Sequence, residues 1–210
     1  MRKMIMLLCI TATQSVRAQY PGYSLVADNG PFKTRFAEAS QKNTSLKADF
    51  VQEKNLSVLS EKIVSKGKFC FRRPDNVRME YTQPFQYLMI LANSHVYIRD
   101  GQKENSVSAK SNKLFGQINQ LVVDCVRGTE LSNPDFKVRV FEGEQTYLVE
   151  LTPVSKNLKD LFQTVSVVLD KKDFTANRIR MLEPSGDNTV ITFSNKELNV
   201  PISDAQFSLH

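Results

Sequence analysis

The sequence predicts an α+β chain built on one strongly curved antiparallel sheet of about 10 to 11 strands, with helices covering its open concave side. Three observations predict it. Apolar and polar residues alternate with period two along most of the chain, in runs separated by Pro, Asn, Asp or Ser. A three- to four-residue apolar spacing occurs at only two places, near the start and in the middle. Composition is that of a folded domain with a substantial core, 210 residues with 41% hydrophobic and 24% charged content, which excludes disordered and collagen-like classes.

The elements follow in order. In residues 1–18, Arg2 and Lys3 precede an apolar run from Met4 to Ala12, and Val16-Arg17-Ala18 forms a small-residue cleavage site before Gln19. This is the pattern of a removable export signal, and the apolar run is roughly half the ~20 residues of a membrane span. Cys9 raises a lipid-anchored alternative, but it lies early and no small residue precedes it. Gln19 to Gly30 is polar and rich in turn formers; Phe32, Phe36 and Ala39 then mark a first helix from about Pro31 to Lys42. From Leu46 the period is two: Ala48, Phe50 and Gln52 oppose Asp49, Val51 and Glu53. Ile63–Phe71, Val77–Tyr81, Tyr87–Leu91 and Val96–Arg99 continue as a meander. Leu114, Phe115, Ile118, Leu121, Val122 and Cys125 recur at helical spacing before Gly128 and predict a second helix. Strands resume at Phe136–Phe141, Thr146–Leu151, Phe162–Leu169, Asn177–Leu182 and Asn188–Ser194, and an apolar group, Ile202 to Phe207, ends the pattern. No linker interrupts the chain, so residues 19–210 are expected to form a single domain.

Charge and chemistry narrow the function. Loss of Arg2, Lys3 and Arg17 with the signal takes 28 basic side chains to 25 against 22 acidic ones, a net charge of +3. That favours transient contact with anionic headgroups, and with Lys and Glu alternating and no basic block, nucleic-acid binding is not expected. Cys70 and Cys125 would bridge in an oxidising compartment if geometry permitted, but both also fit apolar settings as small buried hydrophobes. The only histidines are His95 and His210, so no nucleophile has a well-placed base, and no phosphate loop or zinc-ligand spacing is present. No catalytic residue, metal or cofactor is expected.

One stretch carries a pattern that ordinary packing does not require. In Gly67-Lys-Phe-Cys-Phe-Arg-Arg-Pro-Asp-Asn-Val-Arg-Met-Glu-Tyr-Thr-Gln-Pro84, Phe69, Phe71 and Arg73 share one side of the pleat, as do Val77, Met79 and Tyr81 across a Pro-Asp turn. Arg72, Arg78 and Glu80 lie opposite. An arginine therefore faces apolar surroundings, unless it is a rim residue beside the turn.

These residues, with Phe50-Val-Gln52, Gln83-Pro84 and the order of elements from Phe32 to Phe207, resemble the LolA family of periplasmic lipoprotein carriers. The resemblance implies an incomplete β-barrel closed by helices and a soluble, monomeric, periplasmic protein. It would accept triacylated lipoproteins from an inner-membrane ABC-type releasing complex and deliver them to an outer-membrane receptor. Its lipid-binding face would draw on Phe50, Phe69, Phe71, Val77, Met79, Tyr81, Phe115, Ile118 and Val122, although core packing is the competing reading of each. Arg73 stands where the family has an arginine that bonds to the helical lid and holds the empty cavity closed. Met79 replaces a frequent tryptophan, and Asn93-Ser94 a usual Asp-Gly. A dedicated carrier of a glycolipid or another acylated product, and a lipid- or lipoprotein-sensing regulator, are the alternatives on this fold.

Overall fold

The computed structural model describes residues 20–59, 61–93, 95–101, 103–108 and 133–208. The expected export signal, the second helix with Phe115, Ile118 and Val122, and Cys125 and His210 lie outside these residues.

Two meanders build one sheet. The first comprises β2 (Ser45–Asn55), β3 (Ile63–Arg72), β4 (Asn76–Gln83), β5 (Tyr87–Ala92), β6 (His95–Asp100) and β7 (Lys103–Ser108). The second comprises β8 (Phe136–Glu142), β9 (Thr146–Pro153), β10 (Thr164–Asp170), β11 (Ala176–Leu182) and β12 (Asn188–Leu198). A two-residue strand, β1 (Ser24–Leu25), adds to β8. The order is β1-β8-β9-β10-β11-β12-β2-β3-β4-β5-β6-β7, so the two halves join where β12 pairs antiparallel with β2, and β1 and β7 form the free edges. The result is an incomplete barrel of twelve strands, with β1 and β7 beyond those that the sequence pattern marked.

Strand register explains which side chains meet. Phe50 lies opposite Gly67 and Gly67 opposite Tyr81; Ala48, Phe69 and Met79 form the next row, and Leu46, Phe71 and Val77 the one after. In the other half Val140, Val149, Val167, Ile179 and Ile191 form a continuous row. These side chains belong to one buried apolar cluster on the concave face. Each fully buried aliphatic or aromatic side chain stabilises the fold by about 1.5–3 kcal/mol.

The helix α1 (Gly30–Lys42) carries Pro31 in its first turn and buries Phe32, Phe36 and Ser40, one helical stripe. Phe32 meets Tyr147 edge-on at 4.8 Å, and Phe36 lies 6.0 Å from Phe174, so α1 sits at the end of the sheet where β9 begins and β10 turns into β11. A second helix, α2 (Lys156–Lys159), is a single turn that buries Leu158 after β9.

The convex face is covered in two places. Ile202 and Phe207, the latter in a 3-10 turn (Asp204–Phe207), pack on Cys70, Leu88, Ile90 and Ala92. Arg72 fastens this segment through Ile202 O at 2.7 Å, Asp204 at 2.5 Å and the Phe207 ring at 5.0 Å, and Arg78 donates to Gln206 O at 3.2 Å. On the other half, the Tyr20 ring meets Phe141 at 5.0 Å. The Tyr20 hydroxyl donates to Glu150, which is 3% exposed and ion-paired with Arg139. Strands β5 and β9, whose residues are buried in unbroken runs, are therefore covered on two sides.

Candidate lipid-binding face

Phe50, Phe69, Phe71, Val77 and Met79 are all at most 5% exposed and share the concave face; Tyr81 shares it and is half-buried. Sequence reasoning missed the equal contribution of the second half, including Val167, Ile179, Met181 and Phe193. Phe193 meets Phe69 edge-on at 5.3 Å across the junction of the two halves. Its signal was present in the alternation of β12, but nothing local stated that β12 would pair with β2.

Gly67 supports this arrangement by having no side chain. A Cβ there would lie 2.1 Å from Glu80 O and 2.6 Å from Phe50 Cζ, so the Phe50 ring occupies the space above the glycine. That ring also meets Tyr81 edge-on at 5.0 Å.

Arg73 follows the last residue of β3 and reaches the C-terminal end of α1. Its Nε donates to Asn43 O at 3.0 Å, and its Nη2 donates to Ser40 O and, at 3.2 Å, to Ser40 Oγ. Carbonyls at a helix C-terminus lack intrahelical partners and carry the negative end of the macrodipole, so a guanidinium satisfies both needs. The Arg73 amide itself donates to Thr44 O at 3.0 Å. On the far side of α1, Arg35 donates to the Tyr147 hydroxyl at 3.2 Å, and Asn43 Nδ2 to Asp173 O at 3.1 Å. The two arginines of the Arg72-Arg73 pair thus serve opposite faces, Arg72 the convex C-terminal segment and Arg73 the concave helix.

The end of the sheet opposite α1 differs in chemistry. Six of the seven large hydrophobic residues that are exposed among those described, Val58, Leu59, Ile63, Val64, Phe85 and Val154, lie there, in the β2–β3 and β4–β5 turns, at the start of β3 and after β9. Just inside, the Tyr81 hydroxyl donates to Gln52 Oε1 at 2.9 Å. Burial pushes the Tyr81 hydroxyl up to about 12, with the Tyr87 phenol adding to the shift, and burial followed by Asp100 raises that of Tyr87.

Cys70 is a buried free thiol whose pKa is raised by burial. Among the described residues, no group of His, Cys, Asp and Glu could hold a metal ion, and no helix is long and apolar enough to cross a membrane. His95, exposed, lies 2.9 Å through Nδ1 from Asn93 O.

The described residues thus form an incomplete barrel whose concave face is largely apolar and whose helix α1 is tethered at its C-terminal end. The chain belongs to the family described as outer membrane lipoprotein carrier protein LolA, whose model matches residues 41–210. A curated outer-membrane lipoprotein carrier protein of Cupriavidus taiwanensis is 26% identical over 146 residues, 68% of this chain and 65% of that protein. The chain thus spans just under two thirds of that relative's length. Among solved structures, the Pseudomonas aeruginosa MucA/MucB complex matches with a TM-score of 0.53 at 16% identity, over 88% of this chain and 62% of the other. A DUF1329 family protein from Desulfovibrio piger matches with a TM-score of 0.52 at 14% identity, over 85% and 95%. At such identities the likeness is one of fold.

Proposed function

We propose that the mature protein, residues 19–210, is a periplasmic carrier that shields the acyl chains of lipoproteins on its concave face and moves them from the inner to the outer membrane. The observation that carries this reading is the apolar cluster spanning both halves of the sheet beneath a short helix whose C-terminal end Arg73 fastens. Each methylene left in water costs about 0.8 kcal/mol, so several long acyl chains need such a face to cross an aqueous space. Membership of the LolA family supports the same reading, and the apolar rim opposite α1 supplies a place where chains could leave a membrane.

In this account Arg73 is a latch. In the empty state its bonds to Ser40 and Asn43 hold α1 on the sheet. Arriving acyl chains displace α1 and take over its contacts, and departure of the cargo restores the arginine bonds, so the cycle needs no nucleotide on this chain. Phe115, Ile118 and Val122, outside the described residues, would add to the same face. The partners of such a carrier are an inner-membrane ABC-type releasing complex and an outer-membrane receptor, with the carrier itself a monomer.

The test is release from spheroplasts that hold newly made lipoproteins in the inner membrane. Purified protein is added, and the soluble fraction is analysed by mass spectrometry. Acylated lipoproteins in one-to-one complexes with the protein are the expected result. Their absence, with a known carrier active in the same preparation, would reject this function; a non-protein lipid on the recovered protein would then assign it to a dedicated lipid pathway.

A further inference from the structure

One feature of the concave face is not apolar. Gln52, Tyr81 and Tyr87 form a polar step just inside the end opposite α1, between the Phe50 ring and the exposed Phe85, which stacks on Tyr81 at 6.3 Å. Tyr81 is satisfied by Gln52, and its ring meets Tyr87 edge-on at 5.6 Å. The Tyr87 hydroxyl is buried and, among the described residues, has no hydrogen-bond partner. Folded proteins rarely leave such a group unpaired, because an unmade bond costs its full desolvation.

A ligand lying along this face would have the complementary problem. Its chains are satisfied by apolar contact alone, but the first polar atom of an acyl chain is the carbonyl oxygen of its ester or amide, an acceptor that loses water on entry. A phenol kept neutral by burial is a donor at that position and carries no charge to repel or attract the head beyond it. Resting on the carrier reading above, we propose that the Tyr87 hydroxyl donates to the carbonyl that joins an acyl chain to its head, so that the face selects acyl chains over ether-linked alkyl chains of the same length.

The experiment compares two soluble probes on the exported protein by displacement of a fluorescent fatty acid: a lysophosphatidylcholine with one ester-linked chain, and its ether-linked analogue of equal chain length. One neutral hydrogen bond predicts about 3- to 10-fold tighter binding of the ester. Tyr87→Phe removes one oxygen and should abolish that preference, with the ether probe, which offers no carbonyl, serving as the internal measure of an intact fold. Thermal unfolding of the variant should be unchanged or shifted upward, since an unpaired buried hydroxyl is lost. Equal affinity of the wild-type protein for the two probes would overturn the proposal, as would an ester preference that survives in Tyr87→Phe. Failure of both probes to bind would instead remove the carrier reading, and this inference with it.

Discussion

Replacing Arg73 with leucine removes the guanidinium that fastens the C-terminal end of α1 to the sheet. The side chain makes two bonds to main-chain carbonyls, Ser40 O and Asn43 O, and a third to Ser40 Oγ. Charge-assisted hydrogen bonds contribute about 1.5–3 kcal/mol each, and a cation at a helix C-terminus about 0.3–1 kcal/mol more. Arg73 is half-buried, so water regained by the freed carbonyls offsets part of this. The net loss should be about 2–4 kcal/mol, or about 30- to 700-fold in the equilibrium between docked and released α1. Hydrogen exchange at the α1 amides measures it directly: protection should fall by that factor, with the strands β9 to β11 unaffected. Because the open state is the one that accepts cargo, the variant should bind a fluorescent acyl probe more tightly, by up to the same factor, and give it up to acceptor vesicles more slowly. Arg73→Lys should fall between the two, since an ammonium lacks the planar fork that spans both carbonyls. Unchanged α1 protection, or weaker probe binding in Arg73→Leu, would refute the reasoning.

Gly67→Ala places a methyl 2.1 Å from a carbonyl oxygen and against the Phe50 ring, so unfolding in denaturant should show a loss of about 3 kcal/mol. Alkaline stability follows from the buried phenols. Tyr81 ionises near 12 in the fold against about 10 when unfolded, so the folded state holds more protons between those values and its stability is full below pH 10. It should fall by about 1.4 kcal/mol per pH unit from 10 towards 12, and Tyr81→Phe should flatten the slope measured by denaturant titration. Arg72→Ala removes the bonds to Ile202 and Asp204, and alkylation of Cys70, followed by peptide mass, should accelerate about 30-fold as the C-terminal segment lifts.

The sequence carried the strands of the first half well because Phe69 and Phe71 must face together at period two, and it marked Arg73 because a charge beside that stripe needs a partner. It could not say which partner, since Ser40 and Asn43 lie thirty or more residues away and bond it chiefly through main-chain carbonyls. The joining of β12 to β2 is long-range in the same way, and local alternation is silent about it. Strand β7, Lys-Glu-Asn-Ser-Val-Ser, escaped because an edge strand can be almost wholly polar, and α2 because a single turn has no period. The unbroken run Tyr-Leu-Met-Ile-Leu-Ala of β5 did record burial on two faces, but the second cover, the segment around Ile202 and Phe207, was readable only as an apolar group without a place. Tyr87 gave no signal at all, because an unpaired hydroxyl is a property of its surroundings.

If the protein is such a carrier, acyl chains lie on its concave face. Site-specific photocrosslinking tests it, with a photoreactive residue placed in turn at the inward positions Met79 and Ile179 and at the outward, exposed positions Lys68 and Arg180 of the protein. After incubation with membranes holding acylated lipoproteins, crosslinks to the lipid-bearing N-terminus should form from Met79 and Ile179 and not from Lys68 or Arg180. Crosslinks from the outward positions alone, or equally from both sets, would contradict the account.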